Sequence, residues 1–442
     1  MNQKDQHSSL SHLQSIQENF LNLPADQRRS IFYVLPRSDA EELFLNLRSS
    51  DQHEIFQAMP HTEQRSWLRL LAPDDAADLI QTFPVSQRET LIELLDHDTQ
   101  QDVIALMAYA EDNAGGLMNS HFIRLRPDVT VDVAIRYLRA QARGPVEMIH
   151  YAYVLDNEQK LLGTVSFRDL LLSLPNKSVS EIMTKELIVI DENLDQEKVS
   201  REFSRHALPA LPVLDSEGRM KGIVTIDDVV DVVEEEATED IHKLGGMEAL
   251  DAPYFKVHFV QMIKKRGGWL TVLFISEMFT ATAMGFFQHE IEKAVVLALF
   301  IPLIISGGGN SGSQATTLII RAMALGEIRL RDWLKVFSRE LLTGLTLGGM
   351  LGLIGLCRIL LWPRHSIIYG PHFFLVGMTV SCSLVGVVLW GTLTGSMLPF
   401  ILKRFGIDPA TASAPFVATL VDVTGIVIYF SVASLFLRGT IL

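Results

Sequence analysis

Cysteine is nearly absent: Cys357 and Cys382 are the two in 442 residues, and both sit in apolar runs. That excludes a disulfide framework and a cysteine-rich metal cluster. Charge is also sparse, at 20% of residues against 48% hydrophobic, below the usual share for soluble proteins. Basic residues are the minority, 38 against 52 acidic, for a net charge of −14. Such a chain lacks the basic footprint of a nucleic-acid binder, and no nucleic-acid partner is expected. There is no Walker A lysine motif, so ATP-driven pumping has no support. His289-Glu290 lacks the second histidine of a zincin, and no nucleophile–histidine pairing stands out, so the chain is not expected to be an enzyme. Gly307-x-Gly309-x-x-Gly312 fits a dinucleotide fingerprint formally, but no βαβ pattern surrounds it. The opening MNQKDQHSSL has no apolar stretch, so no secretory signal is expected.

What is present is divided in two. Residues 1–254 carry 23 Lys+Arg against 44 Asp+Glu; residues 255–442 carry 15 against 8. An acidic, soluble front precedes an apolar, mildly basic back. A membrane span needs about 20 apolar residues, and five candidates follow one another: Trp269–Phe287, Ala294–Ile320, Leu341–Leu361, Phe373–Leu402 and Ala410–Leu437. The second is expected to be interrupted by its glycine cluster, ISGGGNSGSQATT. Basic residues gather before the first span (Lys264, Lys265, Arg266), between the second and third (Arg321, Arg329, Arg331, Lys335) and between the fourth and fifth (Lys403, Arg404). The positive-inside rule then places the N-terminus in the cytoplasm and the C-terminus outside a multi-pass protein of the cell (inner) membrane.

Ionisable residues inside spans are costly and point to function. Asp422 lies well inside the fifth span with no basic residue near it in sequence. It needs a cation or a proton. Glu277, mid-way along the first, either packs protonated against a neighbouring helix or adds a cation site. Glu340 lies near the start of the third. Asp408 is expected to cap the fifth span, with Pro409 at the first helical position. A carboxylate among Asn, Ser, Thr and backbone oxygens suits hard cations such as Mg²⁺, Ca²⁺ or Mn²⁺. One Asp per chain is thin for a multivalent ion; a symmetric dimer would converge two.

In the front, Pro24, Pro36, Pro60, Pro73 and Pro84 punctuate short amphipathic runs, the pattern of a helical solenoid. Residues 153–171 repeat as 212–230 at an offset of 59, each copy reading strand, turn, strand and then a helix capped at Ser166 or Thr225. Met118–Leu125 repeats as Met183–Ile190. Next comes DDVVDVVEEEATEDIHKLGG, with Val229, Val230, Val232 and Val233 expected on one helical face and acids on the other. It reads either as a solvated face or as a divalent-cation sensor whose mutual repulsion an ion would relieve.

Three segments together resemble the MgtE family of magnesium channels: GGGNSGSQATTLIIRAMALGEI (307–328), DPATASAPFVATLVDVTGIVIYFSVA (408–433) and AYAEDNAGGLM (108–118). The paired repeats look like tandem CBS domains. The resemblance implies a multi-domain membrane protein. Residues 1–115 would be an α-helical superhelix, 116–178 and 179–240 the α+β CBS domains, 241–266 a connecting plug helix, and 267–442 an all-α pore domain of five helices. It implies a homodimer in the lipid bilayer with an axial pore. Asp422 would be its metal-selecting carboxylate. Ala414, Pro415, Ala418 and Thr419 would line the pore nearby, with Asn310 and Gln314 on the second helix. Mg²⁺ would be both substrate and regulator. The cytosolic sensor acids would be Asp74, Asp78, Asp215, Glu217, Asp227, Glu248 and Asp251. CBS pairs in relatives can also bind adenine nucleotides, which leaves that ligand open for this one. Two positions depart from the family: Ala414 stands where many relatives carry Asn, and Glu277 has no counterpart that can be placed.

The expectation is therefore a Mg²⁺-importing channel closed by cytosolic Mg²⁺. The alternatives are a Co²⁺- or Mn²⁺-preferring channel, a proton-coupled transporter using Glu277 and Asp422, and a membrane-tethered sensor without transport.

Overall fold

The computed structural model describes residues 20, 23–141, 150–250, 254–255, 257–363 and 365–440. They divide into two compact units, Met1–Glu235 and Glu236–Leu442.

Among the described residues the first unit has seven short helices ahead of its sheets: α1 (Ala25–Val34), α2 (Arg37–Leu45), α3 (Ser49–Phe56), α4 (His61–Leu68), α5 (Pro73–Gln81), α6 (Val85–Ile92) and α7 (His97–Leu106). Pro24, Pro36, Pro60 and Pro84 occupy extended N-cap positions, and Pro73 is the first residue of α5. Proline drives the residue before it out of helical space, so it closes one helix as it starts the next. α7 uses a side chain instead: Asp96 accepts a hydrogen bond from the Thr99 amide at 3.2 Å. Phe32 and Phe44 pack on Trp67, with ring centroids 5.0 and 5.1 Å away.

Each repeat then builds its own three-stranded sheet. β1 (Arg124–Leu125), β2 (Tyr151–Leu155) and β3 (Leu161–Ser166) form one; β4 (Ile190–Asp191), β5 (Ala210–Leu214) and β6 (Met220–Thr225) form the other. In both, the first pair is parallel and the second antiparallel. The register slips at the equivalent place, Val154/Leu155 and Val213/Leu214. The helices α8 (Val131–Gln141) and α9 (Gln196–His206) occupy corresponding places. Ser166 caps the helix after β3, accepting from the Asp169 amide at 3.1 Å. The copies exchange edges: Asn119 bridges Ile223, Thr184 bridges Thr164, and Lys160 meets Arg219 between them. Gly163 and Gly222 permit this approach, since a Cβ there would stand 2.9 Å from Thr184 O and 2.7 Å from Asn119 O.

The segment 108–118 is the fastener between helices and repeats. The amides of Ala114 and Gly115 donate to Leu194 O and Glu192 O at 2.7 and 2.8 Å, and the Tyr109 hydroxyl donates to Glu192 at 2.7 Å. After β6 the helix α10 (Ile226–Leu244) begins. Val229 and Val232 are buried, whereas Val230 and Val233 are exposed. The expectation of four valines on one face fails because neighbours in a helix point about 100° apart.

Among the described residues of the second unit five helices are long and apolar enough to cross a membrane: Phe259–Phe286, Val295–Ala324, Leu330–Leu361, Phe373–Arg404 and Ala414–Leu437. Residues 241–266 contain the end of α10 and the start of the first span. The glycine cluster does not interrupt the second span, which is continuously helical over Ile301–Ala324. Its glycines serve packing. A Cβ on Gly312 would stand 2.9 Å from Gly391 O of the fourth span, and one on Gly391 or Gly395 would collide with Gly308 O or Gly312 O. Thr316 donates to both Gly312 O and Gly395 O at 2.9 Å. On its other side, the fourth span meets Gly348 and Gly352 of the third, where a Cβ would lie 2.9 Å from Val385 Cα and 2.8 Å from Ser381 O. Small residues at such seams let backbones touch where lipid supplies no hydrophobic drive.

The fifth span is not capped by Asp408. That carboxylate caps the short 3₁₀ turn Pro409–Thr411, accepting from the Ala410 amide at 2.9 Å. Ser413 caps the span itself, accepting from Phe416 N at 3.3 Å, because the chain turns once more before the helix starts.

Candidate functional site

Two places gather the residues singled out in the sequence. The first lies in the membrane unit, where the second and fifth spans adjoin. Ala414, Ala418 and Asp422 recur every four residues and share one half-buried stripe. Gly309 faces it: a Cβ there would be 3.5 Å from Ala418 Cβ and 3.8 Å from Asp422 Oδ1. Asn310, Gln314 and Thr317 are exposed along the adjoining face of the second span. A groove of about 450 Å³ runs past Ser313, Gln314, Thr317 and Leu318. The oxygens differ in availability. Thr419 donates to Pro415 O at 3.0 Å, and Ser313 donates to Ala414 O at 3.1 Å. Asn310 is exposed and donates to Ser306 Oγ at 3.3 Å. Among the described residues Asp422 makes no hydrogen bond or ion pair.

At the end of this pair of spans, Lys243 Nζ lies 2.5 Å from Glu239 and 2.7 Å from Asp408. Burial alone would lower the lysine's pKa, but the two carboxylates outweigh it and raise it. Gly246, at φ +70°, fits beside Trp269 and Pro415, where a Cβ would be 2.8 and 3.3 Å from their side chains. Glu248 is exposed, and its amide donates to Lys265 O at 3.1 Å. Asp251 lies outside the described residues.

The second place is a recess in the first unit between α5 and the start of α10. Asp75 and Asp78 stand one turn apart on α5; Asp227, Asp228, Asp231 and Glu235 face them from α10, and Glu111 joins from the fastening segment. Loss of hydration, then mutual repulsion, raises Asp75 to about 6 and Asp78 to about 8. Asp78 is exposed at the surface and Asp75 is half-buried. Asp228 rises to about 7, first by loss of hydration, although it accepts from the Thr225 amide and hydroxyl at 3.1 and 2.6 Å. Glu235 is raised for the same first reason.

The other expected sensor acids sit differently. Asp74 is buried and accepts from Asn119 at 3.0 Å. Asp215 lies 2.8 Å from Arg219 and 3.4 Å from Lys221, and Glu217 lies 3.1 Å from Arg219. Asp215 also accepts from the Glu217 and Arg219 amides at 2.9 Å, as Asp156 does from Glu158 and Lys160 in the first repeat. It closes a hairpin turn. The roles of Asp75, Asp228, Asp231 and Glu235 were not singled out from sequence. The available signal was the i, i+1, i+4, i+8 spacing of Asp227, Asp228, Asp231 and Glu235, read against DDAAD at 74–78.

The raised values carry a sign. A carboxyl whose folded pKa is raised contributes stability that is complete below its unfolded value and is lost as pH rises through the folded one. Without divalent cations the full chain is therefore expected to lose thermal stability between about pH 4 and about pH 8. Added Mg²⁺ should restore most of it at pH 8 and little at pH 5, which melting curves at the two pH values would check.

A cavity of about 450 Å³ also lies between α8 and the β2–β3 turn, with Arg124, Arg126, Tyr137 and Asn157 on its walls. Arg124 sits over the Phe122 ring at 4.6 Å and Arg126 donates to Asn157 at 2.8 Å.

Comparison with known proteins follows the same divisions. Residues 301–432 match the MgtE family described as divalent cation transporters, 11–112 its intracellular N domain, and 114–176 and 179–235 the CBS domain. The chain is 42% identical over 337 residues to the magnesium transporter MgtE of Thermus thermophilus, covering 76% of this chain and 73% of that one. It is 32% identical over 333 residues to the MgtE of Enterococcus faecalis, covering 75% and 71%. A crystal structure of the cytosolic domain of the Mg²⁺ channel MgtE in complex with ATP aligns with 50% of this chain and 90% of its own, at 36% identity and TM-score 0.47.

Proposed function

The chain belongs to the MgtE family of magnesium transporters, and on that premise we propose that it is a Mg²⁺-selective channel closed by cytosolic Mg²⁺. It is a multi-pass membrane protein and not an enzyme. The observation that carries the pore reading is Asp422, an ionisable group at membrane depth beside Gly309 and Ala418 with no cationic partner among the described residues. Two copies of the chain would bring two such carboxylates together and cover the polar stripe of Asn310, Gln314 and Thr317. Mg²⁺ gives up its water reluctantly, so a wide site with few carboxylates suits the hydrated ion. The basic residues flanking the spans support a cytoplasmic acidic unit.

For the gate, repulsion among Asp75, Asp78, Glu111, Asp227, Asp228, Asp231 and Glu235 is relieved by a dication. Bound ions stabilise the arrangement that gathers these acids, and they act only through that preference. The test is Mg²⁺ uptake into proteoliposomes with the cytosolic face held at low and then high Mg²⁺. Wild type should be suppressed at high Mg²⁺, and Asp78→Asn with Asp228→Asn should stay open. Equal suppression in both would remove this recess from the gate.

Lys243 is the fixed-charge part of the same device, holding the end of α10 to the loop before the fifth span. Lys243→Gln is expected to raise residual uptake at high Mg²⁺ about two- to fivefold, the scale of a partly exposed ion pair. The same proteoliposome assay measures it.

A further inference from the structure

Glu277 enters neither the pore stripe nor the acidic recess, yet its place is not arbitrary. The first and fifth spans run side by side in the same direction: Trp269 meets Phe416 with ring centroids 6.2 Å apart, and Phe287 stacks on Phe430 at 5.0 Å. Interpolating along the two helices between these contacts sets Glu277 level with Asp422. Glu277 is about 12 Å from either end of the span's apolar stretch, at a rise of about 1.5 Å per residue. Among the described residues it makes no hydrogen bond or ion pair. One turn further along, Thr280 has a buried hydroxyl oxygen with no hydrogen-bond partner. Thr271 and Thr282 in the same helix satisfy theirs on Gly267 O and Met278 O. Glu277 is exposed, and a carboxylate facing lipid at mid-membrane would be costly; an aqueous ion path relieves that cost.

We infer that Glu277 is a second ion-facing carboxylate of the transport pathway, level with Asp422, and that it sets the preference for divalent over monovalent cations. The inference rests on the pore reading above. Its physical basis is that attraction to a fixed carboxylate scales with the charge of the ion, so a second carboxylate at the same depth favours Mg²⁺ over Na⁺.

The test uses the full chain in proteoliposomes, measuring Mg²⁺ uptake against concentration and Na⁺ flux in the absence of divalents, for wild type, Glu277→Gln, Glu277→Asp and Asp422→Asn. Glu277→Gln is expected to raise the Mg²⁺ concentration for half-maximal uptake about tenfold and to shift the flux ratio toward Na⁺ by a similar factor. Glu277→Asp, with a retracted carboxylate, should raise half-saturation about threefold; it carries the test alone if Glu277→Gln fails to fold. Unchanged half-saturation in a folded Glu277 variant, with Asp422→Asn inactive, overturns the inference and leaves the pore reading standing. A lower maximal uptake with half-saturation unmoved marks a packing role and overturns it too, as does flux that follows an imposed pH gradient. Normal uptake by Asp422→Asn instead removes the pore reading itself.

Discussion

Asp422→Asn is expected to lower Mg²⁺ uptake about a hundredfold or more while leaving the protein folded. The substitution keeps the shape of the side chain and removes its charge. In water one charge interaction is worth about 1 kcal/mol at close range, but beside low-dielectric protein walls it is several times larger, and a dication doubles it. No other carboxylate lies on the stripe of Ala414, Ala418 and Asp422 to compensate. Ala414 brings no side-chain oxygen to the stripe, and its backbone oxygen accepts from Ser313. Asp422→Glu should retain a measurable fraction. Uptake by Asp422→Asn within twofold of wild type, in protein that elutes and melts normally, would show that the ion does not pass this carboxylate.

The second large effect concerns folding. Gly395→Leu is expected to destabilise the membrane unit by about 3 kcal/mol or more, the scale of an overpacked core. There is no room for a side chain, because even a Cβ would strike Gly312 O across the seam, and Thr316 already bonds both backbones. Gly349→Leu is the control, since a Cβ on Gly349 meets nothing within 4 Å. The melting temperature in detergent should fall by about 10 °C for the first and hardly move for the second. Equal shifts would mean that the seam between the second and fourth spans is not what holds this unit.

Much of the fold was legible because its signals are local. Prolines mark helix boundaries wherever they fall, and an offset of 59 between two strand-turn-strand patterns needs no tertiary knowledge. The five apolar runs were equally plain, since length and hydropathy alone define them. What sequence reasoning missed depended on distant partners. The glycine cluster at 307–312 looks like a break until Gly391 and Gly395 are seen to supply the facing backbone. Asp408 looks like a helix cap, because its real engagements, a 3₁₀ turn and Lys243, lie outside the helix pattern or far away in sequence. The acidic recess joins α5 to α10 across about 150 residues, so neither acid run reveals which members face the other. Asp215 shows the converse. Acidic and exposed by pattern, it is held in its own turn by Arg219 and two amides.

The crossed edges of the two repeats bear on how such a chain could have arisen. Each copy lends the other a single bridging residue, Asn119 to the second sheet and Thr184 to the first, and each glycine, Gly163 or Gly222, is roofed by a methionine from the opposite copy. Once the copies were fused, loss of either would leave the survivor with an open sheet edge and an unroofed glycine. The duplication thus acts as a ratchet: the halves are free to diverge on their outer surfaces, but where they clasp they are bound to change together.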